Sequence, residues 1–230
     1  MQPVLIDEQL AAACPAAVLG CLQAAVTVEE TPPALTGRLM ETAERLRTEL
    51  SLADIVTLPG IEAARAGYRA CGKDPHRYRN AAEALLRRTV QGKPLPAINS
   101  AVDAGNLVSL TCGCPLGMYD LAAVRGRVIW RIAAEGERYR GIGRDELNLA
   151  GMPVLTDEEG LFGSPTSDSE RTMITRYTRE LLVVIYAFGG RGEARRALGM
   201  AEELLTAYAG AGKPEIVVIG GDQARGGGGL

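Results

Sequence analysis

The stretch Glu180-Leu181-Leu182-Val183-Val184-Ile185-Tyr186-Ala187-Phe188 decides the fold class. It is a short β-type run, closed by Gly189-Gly190, without the three-and-four spacing of an amphipathic helix. Upstream, residues 126–132, 153–155 and 160–162 repeat that character between Gly, Asp and Pro breakers. Downstream, Arg191–Tyr208 returns to a helical pattern and residues 215–219 to a strand. The first half of the chain reads differently. Leu39, Ala43, Leu46 and Leu50 recur at threes and fours behind Thr36, which predicts a capped helix over 37–50. Pro59 opens a second helix over 60–71, ended by Gly72. A third starts at Arg79 or Asn80 and runs to Gly92-Lys93-Pro94. A fourth, capped by Asn99 or Ser100, ends at Gly113-Cys114-Pro115. Residues 17–22 read as a buried strand. Helices grouped early and strands grouped late predict an α+β fold rather than repeating βαβ units.

The 230 residues are 47% hydrophobic and 23% charged, enough apolar side chain for a core, which excludes disorder as the main state. One domain is expected over 1–219, followed by a Gly-rich disordered tail over 220–230. No apolar run approaches the roughly 20 residues of a membrane span. Met1-Gln2-Pro3-Val4 lacks a signal-peptide pattern, so a soluble cytoplasmic protein with no membrane partner is expected. The five cysteines are odd in number and irregular in spacing, the pattern of free thiols. With one histidine, His76, read as an exposed turn residue, neither a metal site nor a cofactor is expected.

A net charge of −3 argues against a general nucleic-acid binder and against DNA as partner. The distribution is uneven. Residues 65–93 hold eight basic side chains against two acidic ones, a local +6. That segment is either a patch that meets a polyanion or a solvated helical face whose Arg stems cover apolar surface.

Several stretches are distinctive when read in order. They are Tyr68-Arg69, Asp74-Pro75-His76-Arg77-Tyr78-Arg79, Glu83-Ala84-Leu85-Leu86-Arg87-Arg88, Leu95-Pro96-Ala97-Ile98-Asn99 and Val102-Asp103-Ala104-Gly105-Asn106-Leu107. Pro115-Leu116-Gly117-Met118-Tyr119-Asp120-Leu121, Ala134-Glu135-Gly136-Glu137 and Asp168-Ser169-Glu170-Arg171-Thr172 follow. The combination resembles a freestanding B3/B4 domain, similar to the tRNA-editing domain of the phenylalanyl-tRNA synthetase beta subunit, most clearly over 60–190. Gly117 stands where the synthetase motif carries histidine, and Gly105 where it carries threonine. The resemblance implies early helices packed on a later, mostly antiparallel sheet, and a cleft that hydrolyses the ester between a wrong amino acid and tRNA. Such a step has a physical need, since an apolar pocket rejects an added hydroxyl only about a hundredfold.

On that resemblance Asn106 holds the carbonyl or amino group of the aminoacyl moiety, and Asp103, one turn away on the same helix face, stands with it. Asp168, Ser169 and Arg171 concentrate a carboxylate, a hydroxyl and a guanidinium that either position water and bind an anion, or cap the next segment. Arg79, Glu83, Tyr119 and Thr172 are candidate substrate contacts; Arg79 and Glu83 read equally as an ordinary i,i+4 pair. Arg69, Arg77, Arg87, Arg88 and Lys93 would touch the tRNA acceptor end, with a synthetase as a further partner. No Ser-His-Asp triad fits, since no Gly-x-Ser-x-Gly turn occurs. Hydrolysis would use a positioned water, with donors stabilising the oxyanion. The rival readings are a non-catalytic module that binds tRNA or a free amino acid, and an enzyme acting on a small amino-acid ester or amide.

Overall fold

The computed structural model describes residues 1–221. In chain order the elements are β1 (Val4–Ile6), α1 (Glu8–Ala13), β2 (Val18–Ala25), α2 (Pro33–Glu49), α3 (Pro59–Ala70), α4 (Ala81–Val90) and α5 (Ser100–Cys112). Then follow β3 (Leu116–Asp120), β4 (Val128–Ile132), β5 (Arg138–Arg140), β6 (Glu146–Asn148), β7 (Pro153–Asp157), β8 (Gly160–Gly163), β9 (Glu180–Ala187), α6 (Arg191–Tyr208) and β10 (Glu215–Gly220).

The fold is α+β. One antiparallel sheet has the order β10-β2-β9-β3 and a second has the order β1-β4-β7-β8, in which only β1 and β4 are parallel. Strand β9 is buried from Leu181 to Ala187, and its two faces feed two cores. Leu181, Val183, Ile185 and Ala187 pack with α2, α4, α5 and α6. Leu182, Val184, Tyr186 and Phe188 pack with Trp130, Val154 and Phe162 of the second sheet and its flanks. The period-2 alternation of a strand thus builds three layers: helices, a central sheet and an outer sheet. This explains why residues 180–188 read as continuously apolar, since a strand covered on both faces has no polar side.

The helices follow from their caps. Asn80 accepts the Glu83 N–H at 2.9 Å and Asn99 accepts the Val102 N–H at 2.9 Å, which fixes the starts of α4 and α5. Helix α2 begins earlier than expected, at Pro33 instead of behind Thr36, because proline fits the first helical turn. Leu116–Asp120 is strand β3: five consecutive residues pair with β9. Gly220, expected to open the tail, closes β10, and residues 222–230 lie outside the described residues. Among the described residues, no helix is long and apolar enough to cross a membrane.

Ile185 is fully buried between the central sheet and the helices. Ile185→Ala is expected to lose about 2–5 kcal/mol in urea unfolding, whereas Met40→Ala, on the exposed face of α2, stays within about 0.5 kcal/mol.

Candidate functional site

Strand β3 is an edge of the central sheet, and the segment after β8 meets it where Asp168 accepts the Tyr119 hydroxyl. Between them, α4, α5 and the 96–98 segment enclose a cleft of about 650 Å³. That volume lies in the range of small-molecule sites. Its walls are largely apolar, from Leu85, Val102, Leu116, Met118 and Ile174, and Ile98 and Met173 leave apolar surface exposed beside it. Polar groups interrupt the walls: Asn106 and Ser109 on α5, Thr166 and Asp168 on the segment after β8. Arg88 and Arg144 line the same cleft with exposed side chains.

Asn106 is held by the residue one turn before it. The Asp103 carboxylate accepts the Asn106 amide N–H at 3.2 Å, and also the Ile98 N–H at 3.0 Å and the Thr31 hydroxyl. An amide carries two N–H donors and a carbonyl acceptor, so the Asp103 contact leaves one donor and the oxygen for the cleft. Gly105 lets α5 approach β3 closely: a Cβ there would lie 2.6 Å from Met118 Sδ.

Asp168 sits on the ridge where the sheet edge ends. Its carboxylate accepts the Tyr119 hydroxyl at 2.6 Å and the backbone N–H groups of Met118 and Ser164. Tyr186 and Tyr119 hydroxyls lie 2.5 Å apart, so with Tyr119 donating to Asp168, Tyr186 donates to Tyr119. The Tyr119 phenol passes over Gly117 and Gly163, where a Cβ on either residue would overlap its hydroxyl. The absence of a side chain at 117 is therefore the condition for Tyr119 reaching Asp168. Burial pushes the Asp168 carboxyl up to about 7, against the opposing pull of those three hydrogen bonds. Burial and the neighbouring Asp168 charge hold the Tyr119 and Tyr186 phenols well above their usual range.

The remaining sequence candidates lie elsewhere. Arg171 turns away from the cleft, with its guanidinium on Asp157 at 2.8 and 3.0 Å, on Glu159 and on the Ala123 carbonyl, stacked over Phe162. Ser169 caps the 3-10 turn Glu170–Thr172 by accepting the Arg171 N–H, and the Thr172 hydroxyl is buried without a partner. Glu83 is fully buried. It accepts Arg65 through both oxygens at 3.1 Å and Arg87 at 2.9 Å, with Arg79 at 3.9 Å. Of the basic segment, Arg65 and Arg87 thus neutralise an internal carboxylate, while Arg69, Arg77, Arg79, Arg88 and Lys93 are exposed. Lys93 and Asp103 border a separate groove of about 610 Å³ between α2 and α4. His76 is exposed in its turn, yet its ring lies 3.2 Å from Arg65. All five cysteines are free, and Cys14 and Cys71 are 3.9 Å apart. Sequence reading missed Tyr186, which looks like any core residue of its strand, and Arg144, which lies in a turn without a motif.

A three-layer α+β chain with a polar-floored cleft at the edge of its central sheet is the class the geometry defines. Residues 63–224 match the family model of the B3/4 domain, and the chain belongs to that family. A segment of 76 residues, 33% of the chain, is 40% identical to the phenylalanine–tRNA ligase beta subunit of Brucella abortus (strain 2308). It is 36% identical to that of Brucella suis biovar 1 (strain 1330). The match covers 10% of each of these relatives, so the chain corresponds to a small part of their length. Among solved structures, an N-terminal fragment of the phenylalanyl-tRNA synthetase beta subunit from Pyrococcus horikoshii is 14% identical. The similarity covers 93% of this chain and 50% of that chain, with a TM-score of 0.48.

The raised Asp168 carboxyl has a defined consequence for stability. Between pH 4 and 7 the unfolded chain releases this proton before the native one, so native stability falls as pH rises, by up to about 1.4 kcal/mol per pH unit. Asp168→Asn removes that fall. The difference between variant and wild-type unfolding free energies is expected to grow across pH 4–7 and to level off above it; a difference independent of pH would mean an ordinary carboxylate.

Proposed function

We propose that the protein hydrolyses the ester of a mischarged aminoacyl-tRNA in trans, with the cleft between α4, α5 and β3 receiving the aminoacyl end. One observation carries the reading: Asn106 and Asp168, 62 positions apart in sequence, line one cavity whose lining also holds the exposed Arg88 and Arg144. The apolar walls take an amino-acid side chain, and the two arginines meet the phosphates of the acceptor end. B3/4 family membership and the tRNA ligase beta-subunit relatives support a tRNA-linked substrate.

In the reaction a water adds to the ester carbonyl, charge builds on the carbonyl oxygen, and the ribose oxygen leaves with a proton. The free Asn106 N–H is the donor for that oxyanion. Its position is set in advance by Asp103, so little reorganisation is needed as the charge develops. Asp168 lines the same cleft. Ser169, Arg171 and Thr172 have no part in this step, and Glu83 acts by holding Arg65 and Arg87.

Incubation with a panel of mischarged tRNAs carrying aromatic and small amino acids is the direct measurement. Asn106→Ala is expected to lower kcat about 10²-fold or more with little change in KM, the signature of a lost transition-state donor. Arg88→Ala is expected to weaken binding and to reduce the slope of log affinity against log salt by about 0.7. Absence of deacylation above a heat-treated control on every tRNA would end the reading. A second reading, binding without turnover, is favoured by one feature: no histidine lines the cleft. Salt-sensitive tRNA binding with zero turnover would select it.

A further inference from the structure

The acidic groups of the interior are balanced in different ways. Glu83 has Arg65 and Arg87, and Asp157 has Arg171. Asp103 has neutral partners alone, three donors of which one is Asn106, and it borders the separate groove between α2 and α4. One Glu193 oxygen accepts the Gly189 N–H and the other has no partner, but it faces Gly60 and the Gly113 carbonyl rather than a cavity. Asp168 alone of these carboxylates opens onto the cleft. Its partners are neutral: the Tyr119 hydroxyl and two backbone N–H groups. Among the described residues no cation pairs with it, and the Arg88 Nε is engaged by the Pro94 carbonyl at 2.7 Å. A carboxylate against apolar walls with no counter-charge is costly, and the cost disappears when a bound ligand brings a cation.

Asn106, which lines the same cavity, offers a spare N–H donor. An acceptor beside a cation on the ligand would satisfy both. The 2-aminoacyl group has that arrangement, a carbonyl oxygen and an ammonium on adjacent carbons. We propose that the cleft selects acyl groups bearing a free α-ammonium, with Asp168 as the counter-ion of the ammonium and Asn106 as donor to the neighbouring carbonyl, and that it excludes N-acylated aminoacyl ends. The inference rests on the reading that the cleft receives an aminoacyl group, and it deepens that reading by fixing the substrate class. N-acylation removes the charge, takes away two of the three N–H donors and adds bulk beside Asp168, which leaves the carboxylate without a counter-charge. A site built around a polar group rejects analogues lacking it far more strongly than an apolar site rejects a change of size. Aminoacyl-tRNA would therefore be a substrate, whereas N-formylaminoacyl- and peptidyl-tRNA would be left intact.

The test uses non-hydrolysable probes, so that binding is read without turnover. Leucinamide and phenylalaninamide, and their N-acetyl forms, are titrated into the full chain and followed by amide chemical shifts. The expected result is saturable binding of at least one free-amine probe, with shifts at Asn106 and around Asp168, and at least about 30-fold weaker binding of its N-acetyl form. In Asp168→Asn, whose shape is retained and whose fold is checked by thermal unfolding, the two forms are expected to bind within about threefold of each other. If that variant does not fold, the wild-type comparison of free and N-acetylated probes decides alone. Equal binding of the two forms, no binding of any free-amine probe, or selectivity that survives in Asp168→Asn would overturn the inference. Amine-dependent binding with no deacylation of any mischarged tRNA would keep it and remove the deacylase reading. Deacylation at equal rates of an aminoacyl-tRNA and its N-acetylated form would do the reverse.

Discussion

The pairing of β3 with β9 governs what reaches the cleft. Met118 lies opposite Val183 and Tyr119 opposite Leu182. Met118 therefore faces the helices and lines the cleft, while Tyr119 faces the second core. Because β3 is an edge strand, the Met118 N–H has no strand partner on its outer side, and the Asp168 carboxylate accepts it. An open edge of this kind ordinarily invites further strand pairing. Here a carboxylate occupies it, and the same contact fixes that carboxylate at the floor of the cavity. A slip of one residue would turn Tyr119 outward and bring Met118 into its place, breaking the Tyr119–Asp168 hydrogen bond.

That hydrogen bond also explains the glycines. Gly117 and Gly163 flank the Tyr119 phenol, and a side chain on either would displace it. Gly117 thus belongs to a coupled set with Tyr119, Asp168 and Tyr186. The lining of the cleft that results holds a carboxylate, an amide and arginines with exposed side chains. The charge economy elsewhere points the same way. Of the basic segment, Arg65 and Arg87 are spent on Glu83, so the cationic surface is smaller than the sequence suggests, and Arg88 is the member that lines the cleft.

Legibility in the sequence followed the range of the interactions. The caps at Asn80 and Asn99 are contacts three residues long, and both helix starts were readable from local chemistry. The apolar run of β9 was readable because burial on both faces leaves a continuous signature. Strand β3 carries no such local signature, since a five-residue stretch containing a glycine becomes a strand only through its pairing with β9. Asn106 and Asp168, singled out by the order of their motifs, line the cleft. Arg171 and Glu83, drawn from the same motifs, went to internal ion pairs instead. Nothing in the local sequence separates an arginine that will meet Asp157 from one that will face a ligand.

The α+β class, the helix starts at Asn80 and Asn99, the central β-type run and the family pattern are legible along the chain, because each depends on neighbours a few residues apart or on motif order. Which polar side chains share a cavity, which are consumed by one another, and that Asp168 faces the cleft without a cation are outcomes of packing. Those outcomes depend on contacts between residues such as Tyr119 and Asp168, 49 positions apart, whose meeting is set by sheet register and not by any property of the segments that carry them.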